Sequence, residues 1–468
     1  KCIIPKYDGL ITNSENINID DFNNLTKEYD ITWSIKEFNQ EHLHYDLNQD
    51  ILNQKLEHYF YKDFKLCDIS DTYYICEKFN KYISKTIKYC KDLWYVLDTN
   101  NNLWKIVKEP QPYILKILRI GLTNQKNALE IALEKEKDKN DDVKDKDYIT
   151  RLEQKIEIQK SYFSKIDKAS FCNQFKKNIT EFITDDDFIN LLDKKPYTFA
   201  FYDGIYDIKT KIFRKGIYPS DYLTKKLDYC YSSNIDKDKI KWIHNEITKI
   251  CNMNIKCKDY YLSILSYALC GDPSIYPDVY CLIGQSASNG KSKLIEAILE
   301  ILPIYAGKSN VKVFESDYEK KHKFIVDFET YRLLYLNEFD DKKKIDSNIF
   351  KDIGDGETLK NEVMHGTNTV IKPFITSNYS PTFDKQDKGV ERRYKHLQFN
   401  SIFGDFENDD VENLKFKKDI NFKDKIIDCK YELIHILLEY AHDVYINGLC
   451  DYPEEYKRFQ TNENVNEE

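Results

Sequence analysis

The sequence predicts an α/β protein whose second half carries a largely parallel sheet and whose first half is a mixed α+β domain. Three observations lead there. From about residue 260 onward, short apolar runs alternate with helical patterns. One of those runs, in CLIGQSASNGKSKLIEAILEIL (281–302), breaks into small polar residues and resumes as an amphipathic helix. The first half shows aromatic-rich hairpin signatures instead.

Taken in order, residues 1–55 are rich in Asn, Asp and Ile with weak periodicity, and read as a peripheral or linker segment. Residues 56–245 read as the α+β domain. DLWYVLDTNNNLWKI (92–106) places two aromatic strands around an Asx-rich turn, and TFAFYDGIYDIKTKIFRKGIYP (198–219) repeats the form with Asp203-Gly204 as turn chemistry. Between them, 134–147 is charged at 12 of 14 positions and reads as a solvated loop or frayed helix inserted into the domain. Ile149, Leu152, Ile156, Gln159, Phe163 and Ile166 then recur at helical spacing, the mark of one buried stripe.

The second half opens with a helical pattern through 260–271, for which Gly271 is the stop. Strands follow at 278–283, 331–337, 372–377 and 394–399, with helices at 291–302 and 347–353. The tail closes with an amphipathic helix over 431–448.

Composition narrows the function classes. A length of 468 residues suggests two or three domains, and 41% hydrophobic residues with 14% aromatics are ample for packed cores. A net charge of −9 excludes a uniformly basic coat for wrapping nucleic acid, while leaving room for a local basic channel. No apolar stretch has the roughly 18 residues of a membrane span, and no signal peptide is visible, so a soluble intracellular protein is expected. The 12 cysteines form no CxxC pair and fall mostly in apolar runs, where a thiol acts as a small hydrophobe. The chain opens on Lys1 rather than Met, which reads as a fragment.

Seven of the 14 glycines lie between Gly284 and Gly389, where backbone is expected to approach something closely. An apolar strand, a small-residue turn, Gly-Lys-Ser and a helix form the order of a phosphate-binding loop. Backbone N–H groups and the helix N-terminus surround one phosphate, Lys291 reaches the outer oxygens, and Ser292 ligates Mg²⁺. Gly284, Ser288, Asn289, Gly290, Lys291 and Ser292 are therefore the candidate nucleotide-binding residues. The spacing is irregular, since five residues separate Gly284 from Gly290 and Gln285 holds the strict glycine position. RLLYLNEFD (332–340) is a buried strand leading to Glu338, placed to organise Mg²⁺ and polarise an attacking water. FITSNYSPTFD (374–384) delivers Asn378 at a strand end, and Arg392 and Arg393 precede the next strand.

The succession GQSASNGKS, LLYLNEF, FKDIGDGETLKNEV, ITSNYSP and ERRYKHLQF resembles the superfamily 3 helicases, specifically the primase-helicase type of poxviruses, giant DNA viruses and some phages, over about 270–400. More faintly, 60–245 is similar to the accessory domain that precedes the helicase in that group. The resemblance implies an AAA+ (P-loop) ATPase domain over 246–402, an α+β accessory domain over 56–245 and a C-terminal helical segment over 403–468. It implies ATP and Mg²⁺ as cofactors and a homo-hexameric ring that moves on single-stranded DNA at replication forks. It further implies primase or other replication proteins as partners, no membrane, and a place in the host cytoplasm or viral replication site. Glu338 matches the acid of the second motif, preceded here by Asn337 where many members carry another acid, and Asn378 matches the sensor asparagine. Arg393 is the better match to the arginine finger, with Arg392 in reserve. GETLKNEVMHGTNTVIKPF (356–374) reads as a hairpin, and in the family such a hairpin grips DNA, which makes Lys360, His365 and Lys372 the DNA-backbone contacts. No primase carboxylate cluster is visible, so a primase part would precede Lys1. Two other readings stay open: an AAA+ remodelling ATPase that separates no strands, and a replication scaffold or DNA-binding module with a structural nucleotide site.

Overall fold

The computed structural model describes residues 4–6, 9–11, 61, 63–140, 143–272, 276–284, 289–310, 331–337, 344–354 and 371–457. Chain contacts divide it into Lys1–Leu52 and Asn53–Glu468. The first unit contributes two short antiparallel strands, β1 (Ile4–Lys6) and β2 (Gly9–Ile11), with Ile4 paired to Ile11.

The second unit begins with helix α1 (Thr72–Ile83), whose first turn is capped by the Asp71 carboxylate accepting from the Tyr73 and Tyr74 N–H groups. Antiparallel strands β3 (Ile87–Cys90), β4 (Leu93–Asp98) and β5 (Leu103–Val107) follow, so the hairpin expected at 92–106 is present and gains a third strand. Helices α2 (Gln111–Lys137) and α3 (Lys146–Ile166) pack on each other, and the charged stretch supplies the end of one, the start of the other and the turn between. The turn is held by Glu136, which accepts from the Lys139 ammonium at 2.7 Å and the Asp145 N–H at 3.2 Å. On α3 the expected stripe buries Leu152, Ile156, Gln159 and Ile166. The polar member is satisfied, as Gln159 Nε2 donates to the Leu66 carbonyl at 2.7 Å. Helix α4 (Ala169–Ile183) adds Phe171, Phe175 and Ile179 to the same core.

A second antiparallel sheet, β6 (Thr198–Phe201), β7 (Gly204–Asp207) and β8 (Ile212–Lys215), carries the Asp203-Gly204 turn. Helices α5 (Lys237–Ile250) and α6 (Ile255–Cys270) lead into the second half. Twelve of the sixteen residues of α6 are buried, which makes it a core helix apolar all round rather than an amphipathic surface helix. It stops at Gly271, in the left-handed conformation (φ +68°) that the glycine there was expected to supply.

The main sheet contains β9 (Val279–Ile283), β10 (Ala306–Asn310), β11 (Leu333–Asn337), β12 (Lys372–Ser377) and β13 (Tyr394–Gln398), all parallel, in the order β10-β11-β12-β9-β13. Helices α7 (Lys291–Ile301), α8 (Ser347–Gly354) and α9 (Lys388–Arg393) accompany it. Alternate residues of β9 enter different cores: Tyr280 and Leu282 join the one containing α6 and α7, while Val279, Cys281 and Ile283 join the one containing Ile349 and Phe350. Both faces are covered, as a parallel sheet requires. The mixed α/β architecture with a parallel sheet is therefore as the sequence foretold. The C-terminal residues add a two-stranded parallel pair, β14 (Ile402–Gly404) and β15 (Lys415–Lys417), then α10 (Phe422–Asp428) and α11 (Lys430–Asn447), which packs on α6.

One core runs across the boundary expected at residue 245. It takes Phe199, Phe201 and Tyr206 from the second antiparallel sheet together with α5, α6, α7, the main sheet and α11. Arg332, just before β11, fastens this junction. Its guanidinium donates to the carbonyls of Thr198 and Leu269, each at 2.9 Å, and of Lys195 at 3.3 Å, and it stacks 4.5 Å from the Tyr305 ring. Five donors in a planar fork suit this task, and a lysine could not reproduce it. Arg332→Ala is expected to lower the unfolding free energy by about 2–4 kcal/mol, since charged donors leave three carbonyls at once. Urea denaturation measures it, and a change below about 0.5 kcal/mol would deny Arg332 this role.

Candidate functional site

A sheet buried on both faces leaves its solvent-reachable polar groups at its two ends. At the C-terminal end, Ser377 of β12 pairs with Ile283 of β9, and Asn337 of β11 pairs with Thr376 of β12. The Gly284 N–H donates to the Ser377 carbonyl at 3.1 Å, extending this pairing by one step. Gly284, Asn337 and Asn378 thus line one edge, with Asn337 exposed and Asn378 half-buried. Tyr335 and Thr376 hydroxyls, 3.1 Å apart, hold β11 and β12 in register beneath it.

From that edge the chain turns into α7. Residues 285–288, including Ser288, lie outside the described residues, as do Glu338, Lys360 and His365. Gly290 stands at the N-cap of α7 with φ +79°, and a Cβ there would come 2.9 Å from Ile250 Cγ1. A side chain at 290 is thus opposed by both backbone and packing. A Cβ on Gly284 would lie 1.8 Å from Asn289 Nδ2 and 2.9 Å from the Phe399 carbonyl oxygen. Asn289 is buried against it. Lys291 is also buried, and its ammonium donates to the Gly284 carbonyl at 3.4 Å, bringing a cation to the end of β9. Ser292 sits half-buried in the first turn.

A glycine closed over by Asn289, a left-handed Gly290 and a buried lysine at a helix N-terminus fit a phosphate chain. Lys291 would supply the charge and Ser292 a hydroxyl oxygen for Mg²⁺, an ion that keeps water and phosphate oxygens and needs few protein ligands. Among the described residues no group of three or more His, Cys, Asp or Glu side chains is placed to hold a metal.

The opposite end of the sheet holds the basic residues. Tyr394 of β13 pairs with Val279, the first residue of β9, so Arg392 and Arg393 lie at the end of the sheet remote from Gly284. The two differ in environment. Arg392 is exposed. Arg393 is 8% exposed, its guanidinium donates to the Gly389 carbonyl at 2.8 Å, and its stem lies against Gly354 at the end of α8. Of the two, Arg392 is the one open to solvent.

Lys372 requires a correction. It is the first residue of β12, 1% exposed, with its ammonium donating to the Tyr276 carbonyl at 2.5 Å and the Gly354 carbonyl at 3.2 Å. A DNA phosphate cannot reach it. The expected hairpin was drawn through to 374, but Lys372 already belongs to the parallel sheet. Nearby Asp278 is buried beside Lys395 at 3.6 Å; burial pushes its carboxyl above the usual range, while Lys395 and Lys372 oppose the shift. This end is a structural charge cluster.

Sequence reasoning also missed a cavity of about 200 Å³ beside Gly290, lined by Ile250, Phe403, Ile420 and Phe422 with lysines at its rim. These residues come from segments some 170 positions apart, and no local motif joins them.

Residues 76–249 match the family described as D5 N terminal like. The chain is similar to viral helicases and primases. It is 25% identical over 299 residues to putative helicase L207/L206 of Acanthamoeba polyphaga mimivirus, covering 61% of this chain and 31% of the relative. It is 26% identical over 266 residues to primase D5 of Fowlpox virus (strain NVSL), covering 53% and 31%. A shorter match, 34% over 89 residues, is to putative helicase 121R of Invertebrate iridescent virus 3, covering 19% and 9%. The chain thus spans 31% of the length of the first two relatives. The apo structure of the NrS-1 C terminal region (A form) aligns over 57% of this chain and 58% of that one, at 12% identity and a TM-score of 0.37. The resemblance to the viral primase-helicase type, stated from the motifs, is borne out by the family match and the viral relatives. No helix among the described residues is long and apolar enough to cross a membrane.

Two measurements follow from the geometry. Lys372→Met is expected to lower the thermal midpoint, at about 2–3 kcal/mol for two buried carbonyls losing a charged donor. Gly290→Ala is expected to cost about 1–3 kcal/mol in urea denaturation, because its backbone is left-handed (φ +79°) and a Cβ there would come 2.9 Å from Ile250.

Proposed function

We propose that this chain is the ATP-driven motor of a viral DNA helicase, an AAA+ ring of six copies that moves along single-stranded DNA at replication forks. The observation that carries the reading is the strand-loop-helix unit from β9 through Gly284, Gly290, Lys291 and Ser292 to α7, set inside the parallel sheet with Asn378 beside it. The order β10-β11-β12-β9-β13 supports an AAA+ fold, since it puts the loop strand between the strand leading to Asn378 and the strand following the arginines. The viral helicase and primase relatives support the replication role.

Within that reading, bound ATP and Mg²⁺ supply the phosphoanhydride bond and the charge that organises its oxygens. Lys291 binds the outer phosphates, Ser292 and Glu338 hold the metal, and Asn378 orients the attacking water. Glu338 acts without a preceding acid, since Asn337 holds that position. Arg392 serves the neighbouring subunit's phosphates. It lies at the far end of its own sheet, and β9 alone separates the two ends by roughly 13 Å at about 3.3 Å per residue. Lys360 and His365 are the DNA contacts, six copies of which would concentrate basic charge in one channel despite the net −9 per chain.

ATP hydrolysis with and without single-stranded DNA tests this. DNA should raise turnover, Lys291→Ala should abolish it, and Arg392→Ala should reduce it about 10³-fold or more while leaving ATP binding intact. Mixing the two inactive variants should restore turnover, because each supplies what the other lacks. Turnover indifferent to DNA would favour a remodelling ATPase, and ATP binding without turnover would favour a scaffold.

A further inference from the structure

We propose that the second antiparallel sheet carries a binding surface for single-stranded nucleic acid along the open edge of β8, built from residues other than those of the phosphate loop and of the 356–374 segment. Charge is spread unevenly along the chain. Against a net −9 overall, residues 194–226 hold eight Lys and Arg and three Asp. Lys209, Lys211, Arg214 and Lys215 are four cations in seven residues with no acid among them; they fall on β8 and the turn before it, and all are exposed. Among the described residues β8 pairs with β7 alone, so its other edge carries no strand. Lys211 and Lys215 stand about 13 Å apart along it at roughly 3.3 Å per residue, a span that takes more than one phosphate.

Aromatic rings flank this basic edge at both ends. Beside the turn, the exposed Tyr445 of α11 has the Lys209 ammonium 5.1 Å from its ring centroid. At the other end Tyr202 and Tyr218 are exposed, with Lys226 4.3 Å from the first ring and Arg214 4.6 Å from the second. Lys226 also donates to the Tyr202 carbonyl at 3.0 Å, which fixes that cation in place. Each pair sets a cation beside a half-open ring, the combination that holds a single strand: phosphates meet the cations and bases stack on the rings. Two ion pairs temper the charge, Arg214 with Asp221 at 2.7 Å and Lys211 with Glu439. Lysines on an open edge also deter pairing with another sheet, but that task needs no exposed tyrosines. An acidic peptide would be drawn by the same cations and would have no use for the rings.

The full chain is titrated with a fluorescent oligothymidylate, read by anisotropy at several salt concentrations. Tyr202→Ala and Tyr445→Ala are each expected to weaken binding about tenfold. Lys209→Gln and Lys215→Gln should weaken it too, and each should flatten the slope of log affinity against log salt by about 0.7. Glutamine keeps the edge polar, so the guard against sheet pairing remains. Bromodeoxyuridine placed in the oligonucleotide should photocrosslink to wild type within 197–226 or at Tyr445, a readout that a purely structural role would not give. Unchanged affinity in all four variants, or crosslinks confined to other segments, overturns this surface and leaves the helicase reading standing. Polyglutamate competing as well as the oligonucleotide, with Tyr202→Ala neutral, gives the surface to an acidic protein segment and overturns the proposal as well. Failure of the wild type to bind the oligonucleotide overturns both the surface and the DNA motor.

Discussion

Burial of the main sheet on both faces is the constraint from which the rest follows. Val279, Tyr280, Cys281, Leu282 and Ile283 are all buried, so β9 has no solvated side on which chemistry could be carried. Polar function is forced to the strand ends, and parallel pairing makes the two ends unlike. One presents Gly284, Asn337 and Asn378, and the other Asp278, Lys372, Arg393 and Lys395.

That asymmetry explains why similar residue types have different fates. Lys291 and Lys372 are both buried lysines, but the first opens a helix and donates to the carbonyl of Gly284 at the end of β9, while the second opens a strand and holds two carbonyls. Neighbouring Arg392 and Arg393 diverge for a helical reason. They close the short helix α9, where adjacent side chains point in different directions, and only Arg393 meets Gly354 and Gly389.

The second antiparallel sheet belongs to the same core as the main sheet. Phe199 and Tyr305 rings lie 4.7 Å apart, and the Ala200 N–H donates to the Tyr305 hydroxyl at 2.7 Å. Arg332 adds the polar fastening at the same place. The region similar to the D5 N terminal like family is thus continuous in packing with β9 of the main sheet. A displacement of β6–β8 would be felt by α6 and the sheet, because close-packed interiors transmit strain.

By itself the sequence determined what is local. The positions of β9, β11, β12, β13 and α7 follow from apolar runs and periodicity, while β10 (AGKSN) has no such pattern and escaped it; the Gly271 stop follows from glycine's left-handed freedom, and the strand-to-helix order around Gly290-Lys291-Ser292 from contiguous residues. Tertiary structure alone decided what depends on non-local neighbours. It set the strand order and put Lys372 in the interior, where its surface-like charge is satisfied by carbonyls from Tyr276 and Gly354. It also separated Arg392 from Arg393 and gathered Ile250, Phe403, Ile420 and Phe422 around Gly290. Periodicity reports which face of an element is buried. It carries no information about which distant element covers that face, and the site's margins are made by that covering.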